Sequence, residues 1–310
     1  MQTRRIGGLE VSVVGVGCNN FGTRMDAEAT VRVVDAALES GINFFDTADT
    51  YGKGASEELL GQALKGRRER AVIATKFGSD MGDGKTGARP EYVRQAADDS
   101  LRRLGVDVID LYQLHKPDDT VPIADTLGAL DELVKAGKVR EIGCSNFSVR
   151  QLRDAEAAAR ASGGARFRSV QNDYSLLHRA PEADGVLAEC ERTDVAFLPY
   201  FPLFSGLLTG KYRKGEPVPQ GTRIAGGGYF AGVLTEARLD VVEKLIAFAE
   251  ARGHTILELA FSWLLARPVV ASVIAGATRP EQIHANAAAA GWSLTPEDLA
   301  EIDRIAPAAG

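Results

Sequence analysis

Short apolar runs alternate with longer amphipathic segments along the chain, and this alternation restricts the fold more than any other feature of the sequence. The runs are rich in β-branched and aromatic residues. Most are continuously apolar, which is typical of parallel strands buried on both faces. Eight such runs lie at 11–17, 42–46, 71–76, 107–115, 139–145, 167–172, 195–200 and 269–276. We therefore predict an α/β fold built on a parallel sheet.

Helical segments follow the strands and carry recognisable start signals. Ser148 with Gln151 and Thr255 with Glu258 have the spacing of capping boxes. Thr295 precedes a proline at the first predicted helical position. The predicted helices lie near 27–40, 56–65, 90–104, 123–136, 148–162, 182–193, 236–252, 255–266, 280–290 and 296–305. Eight strand-then-helix units predict a closed (β/α)8 TIM barrel, and an open doubly wound sheet is the alternative.

The two ends of the chain and one internal loop complete the predicted architecture. The residues around Gly7-Gly8 predict an N-terminal hairpin, and the helix at 296–305 is an additional C-terminal helix outside the barrel units. Segment 201–235 is glycine-rich and has no clear period, and long loops of this kind inside a domain are usually functional. Because no other segment resembles a linker, we expect a single barrel domain over residues 1–310.

Composition excludes several classes of function. A net charge of −6 and a pI near 5.4 argue against nucleic-acid binding, which usually needs a basic stripe. Cys18, Cys144 and Cys190 have neither disulfide-framework nor zinc-site spacing, so we expect no metal and a reducing, cytoplasmic location. No apolar stretch approaches the ~18 residues of a membrane span, and no targeting segment is convincing.

Ionisable residues end several of the predicted strands. Asp46, Lys76 and His115 end the second, third and fourth strands, and Tyr51 follows Asp46 closely. Barrel enzymes place their active sites at this end of the strands. A lysine ammonium favours the phenolate of a nearby tyrosine, an aspartate keeps the lysine charged, and a neutral histidine can bond to a carbonyl oxygen. The group predicts proton donation by Tyr51 to a carbonyl, and the missing hydride source implies a nicotinamide cofactor.

Seven segments of the chain resemble motifs of the aldo-keto reductase family. They are FFDTADTYG (44–52), ATKFG (74–78), LYQLHKPD (111–118), REIGCSNFS (140–148), VQNDYSLL (170–177), LPYFPLFSGLLTGKY (198–212) and VIAGATRPEQIHAN (273–286). They occur in the family's order and extend over nearly the whole length. The resemblance implies hydride transfer from NADPH to a small aldehyde or ketone, with alcohol oxidation as the reverse reaction.

The resemblance also implies a role for individual residues. The family's catalytic tetrad falls on Asp46, Tyr51, Lys76 and His115. The cofactor-binding positions of the family contact the nicotinamide, the pyrophosphate and the adenosine 2′-phosphate. They fall on Ser145, Asn146, Gln171 and Tyr200, on Leu203, Ser205 and Lys211, and on Arg279, Gln282 and Asn286, which also meet the adenine; Gly276 is a further cofactor-binding position.

Some positions depart from the family's pattern. Phe201 stands where serine is frequent, Ala275 replaces a usual proline, and His284 and Ala285 stand where glutamates are common. The last two positions weaken the resemblance at the adenine end. Arg279 at a helix start, where an anion is favoured, still predicts a preference for NADPH over NADH.

Three alternatives accompany this interpretation. The chain could be a non-catalytic NADP(H)-binding subunit or sensor on the same fold. It could also be a lyase or aldolase that uses Lys76 as a Schiff base, which would need an uncharged lysine. Asp49 lies close to Asp46 in the sequence and could be the lysine's partner instead. A Rossmann enzyme is excluded, because no G-x-G-x-x-G follows the first strand.

Aromatic residues near the predicted strand ends and in the long loop predict an apolar entrance to the substrate site. They are Phe21, Phe77, Phe204, Tyr229 and Phe230.

Overall fold

The computed structural model of the chain describes residues 1–222, 224–225 and 232–308. An antiparallel hairpin, β1 (Thr3–Ile6) and β2 (Leu9–Ser12), precedes an eight-stranded parallel sheet. The strands of the sheet are β3 (Val14–Gly17), β4 (Phe44–Asp46), β5 (Val72–Phe77), β6 (Ile109–Leu114), β7 (Val139–Ser145), β8 (Phe167–Asp173), β9 (Ala196–Tyr200) and β10 (Val273–Gly276). The predicted N-terminal hairpin is confirmed.

The sheet curls into a barrel. Its strand order runs from β10 through β3 and then in sequence to β9. Phe197 of β9 spans the remaining gap: its N–H donates to the Val269 carbonyl at 2.8 Å, and its carbonyl accepts from Ala271 at 3.0 Å. The predicted (β/α)8 TIM barrel is confirmed, and the open-sheet alternative is wrong.

Helices pack around the barrel between successive strands. In the described part of the chain they are α1 (Ala27–Glu39), α2 (Ala55–Ala63), α3 (Pro90–Leu104), α4 (Ile123–Lys135), α5 (Val149–Ser162), α6 (Ala180–Ala183), α7 (Val186–Thr193), α8 (Glu236–Glu250), α9 (Ile256–Leu265), α10 (Pro280–Ala288) and α11 (Pro296–Ile305). Ser148 and Thr255 form the predicted capping boxes, and Thr295 caps α11 ahead of its first-turn proline.

Two predicted elements are divided. The apolar run at 11–17 supplies both β2 and β3: Ser12 ends the hairpin pairing opposite Thr3, and its hydroxyl donates to the Val14 carbonyl at 2.7 Å. The helix predicted at 182–193 is separated into α6 and α7 by Gly185, whose φ of 81° lies in the left-handed region that ends a helix. The run at 11–16 is buried throughout, whereas Ala183 and Asp184 are exposed between the two helices.

The hairpin closes one end of the barrel. Ile6, Leu9 and Val11 are buried against inward-facing apolar side chains of the strands. Those side chains are Phe44, Ala74, Leu111, Leu198 and Ile274. The Arg4 guanidinium anchors the hairpin by donating to carbonyls at the end of α9, at 2.7 Å to Leu265 and 2.9 Å to Arg267.

Moving two residues along a strand reaches the next inward-facing position. From the apolar layer above the hairpin, this step leads from Phe44 to Asp46 and from Ala74 to Lys76. It also leads from Leu111 to Gln113. The barrel interior therefore changes from apolar to polar towards the C-terminal ends of the strands, and only that end can hold a chemically active cavity.

We expect Val11→Ala to lower the free energy of unfolding by about 2 kcal/mol, because it removes fully buried methyl groups and leaves a cavity in the barrel's apolar end. Val31→Ala is the matched control, since Val31 is exposed on α1 and the change should stay within about 0.5 kcal/mol. Urea unfolding of both variants measures the difference. Equal effects would mean that the hairpin does not seal the barrel.

Candidate active site

A cavity of about 740 Å³ opens at the C-terminal ends of the barrel strands. All of the predicted site residues except Lys76 line it, whereas Lys76 is fully buried beneath its floor. The lining residues are Asp46, Tyr51, His115, Ser145, Asn146, Gln171, Tyr200, Leu203, Ser205, Lys211, Gly276, Arg279, Gln282 and Asn286. The structure thus brings together residues that are distant in the sequence.

A buried ion pair forms the floor of the cavity. The Lys76 ammonium donates to Asp46 Oδ2 at 2.6 Å and to the Thr47 carbonyl at 2.9 Å. The second oxygen of Asp46 accepts from the side-chain amides of Gln171 at 2.9 Å and Gln113 at 3.2 Å. Asp46 is therefore the partner of the lysine in this structure. Gln113, which no sequence pattern indicated, completes the hydrogen bonding of the Asp46 carboxylate.

The ion pair keeps the lysine charged. Burial lowers the pKa of Lys76, but the Asp46 carboxylate and the nearby Tyr51 phenol more than offset burial, so the net pKa lies above its ordinary value. The ammonium lies 5.3 Å from the centroid of the Tyr51 ring. Burial raises the pKa of Tyr51, and the positive charge of Lys76 offsets only part of that rise. The expectation that Lys76 lowers this pKa is met only in part, and Tyr51 is a phenol at neutral pH.

A tight turn after β4 positions Tyr51. The turn Tyr51–Gly54 contains left-handed backbone at Gly52, Lys53 and Gly54, with φ values of 58°, 54° and 95°. At Gly54 a side chain would also collide with Arg103, whose Cδ would lie 2.7 Å from the added Cβ. The two glycines of the YGKG sequence therefore allow the chain to reverse and return Tyr51 to the cavity wall.

His115 lies opposite Tyr51. The two ring centroids are 6.0 Å apart at an interplanar angle of 80°. The backbone of His115 is held by a 2.8 Å bond to the Phe77 carbonyl and by the Asn146 amide, which donates to the His115 carbonyl at 3.0 Å. Burial, with the positive charges of Lys76 and Lys116, lowers the pKa of His115 to about 3. The imidazole is therefore neutral in the physiological range.

Hydroxyl and amide groups form the wall beside His115. Ser145 donates its hydroxyl to the Gln171 carbonyl at 2.6 Å, and the Tyr200 hydroxyl donates to Asn146 Oδ1 at 2.8 Å. Asn146 adopts a φ of 63°, an unusual conformation for a residue other than glycine. These bonds hold Ser145, Asn146 and Tyr200 in one arrangement, and the Gln171 amide nitrogen is already engaged with Asp46.

The loop after β9 places the Lys211 ammonium next to Gly206. Ser205 and Gly206 have left-handed φ values of 57° and 96° within the turn Phe204–Thr209. A Cβ added to Gly206 would lie 2.9 Å from the Lys211 ammonium. Lys211 and Leu203 both line the cavity. The turn thus exposes backbone and a positive charge to the same space.

The segment after β10 forms the opposite end of the cavity. Gly276 ends the strand, and the exposed Arg279 occupies the N-cap of α10. The side chain of Gln282 accepts from the Thr278 N–H at 2.8 Å, which tightens the turn. Asn286 is buried one helical turn further on. A helix N-terminus with an arginine beside it favours an anion.

Several lining residues were not predicted. Asn19, Asn20 and Arg24 follow β3, and Gln220, Gly221 and Thr222 come from the long loop. Asn20 reaches across to the Ala277 carbonyl at 3.4 Å and so joins the first and last strands of the barrel. Position alone could have indicated the first group, since it directly follows a barrel strand.

The predicted apolar entrance to the substrate site is wrong for Phe21 and Phe77. Phe21 and Phe77 are fully buried in the protein core, and Phe77 stacks on Tyr112 with centroids 4.7 Å apart. Both residues pack outside the barrel wall, because neighbouring positions of a strand or turn face opposite sides. Tyr229 and Phe230 lie outside the described residues.

In the part of the chain that the structure describes, none of the helices combines the length and the apolar character needed to cross a membrane. Within the same part, none of the clusters of histidine, cysteine and carboxylate side chains could hold a metal ion.

Comparison with known proteins places this geometry in context. Residues 13–307 match the model of the Aldo/keto reductase family. The chain is 34% identical over 308 residues to Aldo-keto reductase YhdN of Bacillus subtilis (strain 168), with 96% of this chain and 91% of the relative covered. It is also 34% identical to Probable aldo-keto reductase 1 of Glycine max, with 97% and 87% covered.

Two solved structures also superpose on this chain over nearly its whole length. The glycerol dehydrogenase AKR11B4 from Gluconobacter oxydans superposes with a TM-score of 0.84 at 33% identity, covering 98% of this chain and 94% of that one. The aldo-keto reductase AKR11C1 from Bacillus halodurans, in its holo form, superposes with a TM-score of 0.81 at 34% identity, covering 100% and 97%.

We expect the His115 ring to stay neutral between about pH 5 and 8, because its pKa is lowered to about 3 by burial and by the charges of Lys76 and Lys116. The measurement is an NMR titration of the imidazole protons, with the His115 signal assigned by its loss in His115→Asn. A midpoint near the ordinary histidine value of about 6.5 would contradict this account of the cavity.

Proposed function

The chain belongs to the aldo/keto reductase family, and we propose that it is an NADP(H)-dependent enzyme that reduces an aldehyde or ketone and oxidises the alcohol in reverse. One observation carries the proposal: a phenol, Tyr51, lies in one cavity between a buried lysine–carboxylate pair and a neutral imidazole. These are the groups needed to donate a proton to a carbonyl oxygen and to stabilise the charge that develops there.

The cavity fits a dinucleotide. Its volume of about 740 Å³ lies within the range of about 300–1,000 Å³ that is common for cofactor sites. We assign the nicotinamide to the hydroxyl and amide wall of Ser145, Asn146, Gln171 and Tyr200. The pyrophosphate would lie by Leu203, Ser205 and Lys211, and the 2′-phosphate and adenine by Arg279, Gln282 and Asn286, with Gly276 as a further cofactor-binding position. Lys211 and Arg279 place positive charge where these phosphate groups would lie. The bound cofactor supplies the hydride that reduces the carbonyl carbon.

The residues of the chain carry out the proton transfer to the substrate. The neutral His115 ring donates a hydrogen bond to the substrate oxygen and orients it. Tyr51 gives its phenol proton to the same oxygen as negative charge develops there, so the O–H bond of the tyrosine breaks and that of the alcohol forms. The Lys76 ammonium stabilises the phenolate left behind, and Asp46 keeps Lys76 charged. Solvent then returns a proton to Tyr51.

The alternatives are less well supported. A Schiff base needs an uncharged lysine with access to substrate. Lys76 is fully buried and is kept charged by Asp46, which argues against a lyase or aldolase. A non-catalytic subunit would not require the buried ion pair beside Tyr51. Oxidation of NADPH in the presence of a panel of small aldehydes and ketones distinguishes an enzyme from a sensor.

We infer a reducing, cytoplasmic setting and a single catalytic domain as part of the proposal. Cys18, Cys144 and Cys190 are free thiols buried in the core, which supports a compartment without disulfide formation.

Tyr51→Phe should keep NADPH binding but lower kcat by about 10²–10⁴-fold, because the ring remains while the proton is lost. Tyr174→Phe is the control, since this tyrosine lies outside the cavity and donates to Glu182. Steady-state rates on the best carbonyl substrate and fluorescence titration with NADPH provide the two readouts. Wild-type turnover in Tyr51→Phe would refute the assigned proton donor.

Arg279→Ala should weaken NADPH binding more than NADH binding, because only NADPH carries the 2′-phosphate. One charge-assisted bond of about 1.5–3 kcal/mol corresponds to a change in Kd of about 10–100-fold. Arg304→Ala, an exposed arginine on α11, should change neither Kd. An equal loss for both cofactors in Arg279→Ala would remove this residue from the phosphate site.

A further inference from the structure

A second aspartate lies behind the ion pair. Asp49 follows β4, and its backbone N–H donates to the Lys76 carbonyl at 3.1 Å, which ties it to the strand that carries the lysine. Its side chain is buried, with 1% of the residue exposed. Neither carboxyl oxygen makes a hydrogen bond with any residue that the structure describes. A buried carboxyl without partners is unusual and costly, so it needs a physical explanation.

The cations near Asp49 are already paired. Arg103 donates to Glu57 Oε2 at 2.6 Å, and the other oxygen of Glu57 accepts from Thr75 at 2.6 Å. Lys76 is held by Asp46, as described above. The buried Lys76 and the partly buried Arg103 thus neutralise two buried carboxylates. The third carboxyl, on Asp49, has no counter-ion of its own among the residues that the structure describes.

The groups around Asp49 determine its charge. Burial, and then the Glu57 carboxylate of α2, raise the pKa of Asp49 to about 7, against the opposing charges of Arg103 and Lys76. Two phenols complete its surroundings, Tyr92 from α3 and Tyr112 from β6, and the negative charge of Asp49 contributes to the raised pKa of each. The Tyr112 hydroxyl is also buried without a partner among the described residues.

We propose that Asp49 is a positioning residue of this active site, whose ionisation acts through Lys76 to set the acid strength of Tyr51. The inference rests on the proposed function, since it concerns the proton that Tyr51 donates. Asp49 does not line the cavity and does not touch substrate. Its influence passes through the lysine whose backbone it binds and whose charge the Tyr51 phenolate requires.

The direction of the effect follows from the charges. With Asp49 protonated, the ammonium of Lys76 is opposed only by Asp46 and is available to a phenolate at Tyr51. With Asp49 ionised, a further negative charge interacts with the Lys76 ammonium, so the phenolate is less favourable and Tyr51 is a weaker acid. Carbonyl reduction therefore slows as pH rises through about 7, where Asp49 titrates. His115 does not titrate in this window, because its pKa is about 3.

The first test is the single-turnover rate of NADPH oxidation as a function of pH in wild type and Asp49→Asn. We expect the wild-type rate to fall on the order of three- to tenfold across neutral pH, the effect of a neighbouring charge that moves the pKa of a general acid by about one unit. Asp49→Asn should keep the faster, low-pH rate throughout. Asp173→Asn is the matched control. Burial raises the pKa of Asp173 to about 6, yet this variant should show the same fall in rate across neutral pH as the wild type.

The second test uses the protein without substrate. A carboxyl whose pKa is raised by folding stabilises the fold at low pH, and that contribution is lost as pH rises from its unfolded value of about 3.9 to about 7. The Tm of Asp49→Asn relative to wild type should therefore be higher at pH 8 than at pH 5. The comparison does not depend on catalysis.

The outcomes separate the two proposals. If Asp49→Asn had wild-type turnover and its rate fell with pH as the wild-type rate does, this inference would be overturned and the proposed function would stay intact. The same Tm difference at both pH values would also overturn it, because Asp49 would then not titrate near neutrality. Absence of carbonyl reduction at every pH would remove the proposed function, and the role of Asp49 with it.

Discussion

The structure depends on one buried charge. Lys76 is inaccessible to solvent inside the barrel, and an ammonium in that position requires a counter-ion and hydrogen bonds that replace water. Asp46 provides the charge, and the amides of Gln113 and Gln171 satisfy the remaining carboxylate oxygen. Removing one partner would leave the other unpaired in the interior. The ion pair therefore fixes the floor of the cavity and the position of the charge that Tyr51 experiences.

The barrel can accommodate this charge because its interior is divided into layers. The hairpin seals the opposite end with apolar side chains such as Ile6 and Val11, so that end contributes packing and no chemistry. Polar inward positions occur one step further along the same strands. Stability and reactivity are thus assigned to different ends of one set of strands, and changes in the loops around the cavity need not disturb the sealed end.

Much of this arrangement could be predicted from local sequence, and the failures share a cause. Continuous apolar runs predicted the barrel strands, and the capping boxes at Ser148 and Thr255 predicted helix starts, because both patterns depend on neighbours in the chain. The run at 11–17 and the aromatics Phe21 and Phe77 were misinterpreted, since an apolar residue indicates burial and not the surface against which it is buried.

The order of the residues alone predicted the number and order of the barrel strands and the residue types at their C-terminal ends, because an apolar run and the point where it ends are local properties. The folded barrel was needed to show that Asp46 and not Asp49 binds Lys76, and that His115 is neutral. These properties depend on contacts between residues far apart in the chain: 30 positions separate Asp46 from Lys76, and 125 separate it from Gln171. Charge and pKa follow from distance and burial, which are determined only when the barrel closes.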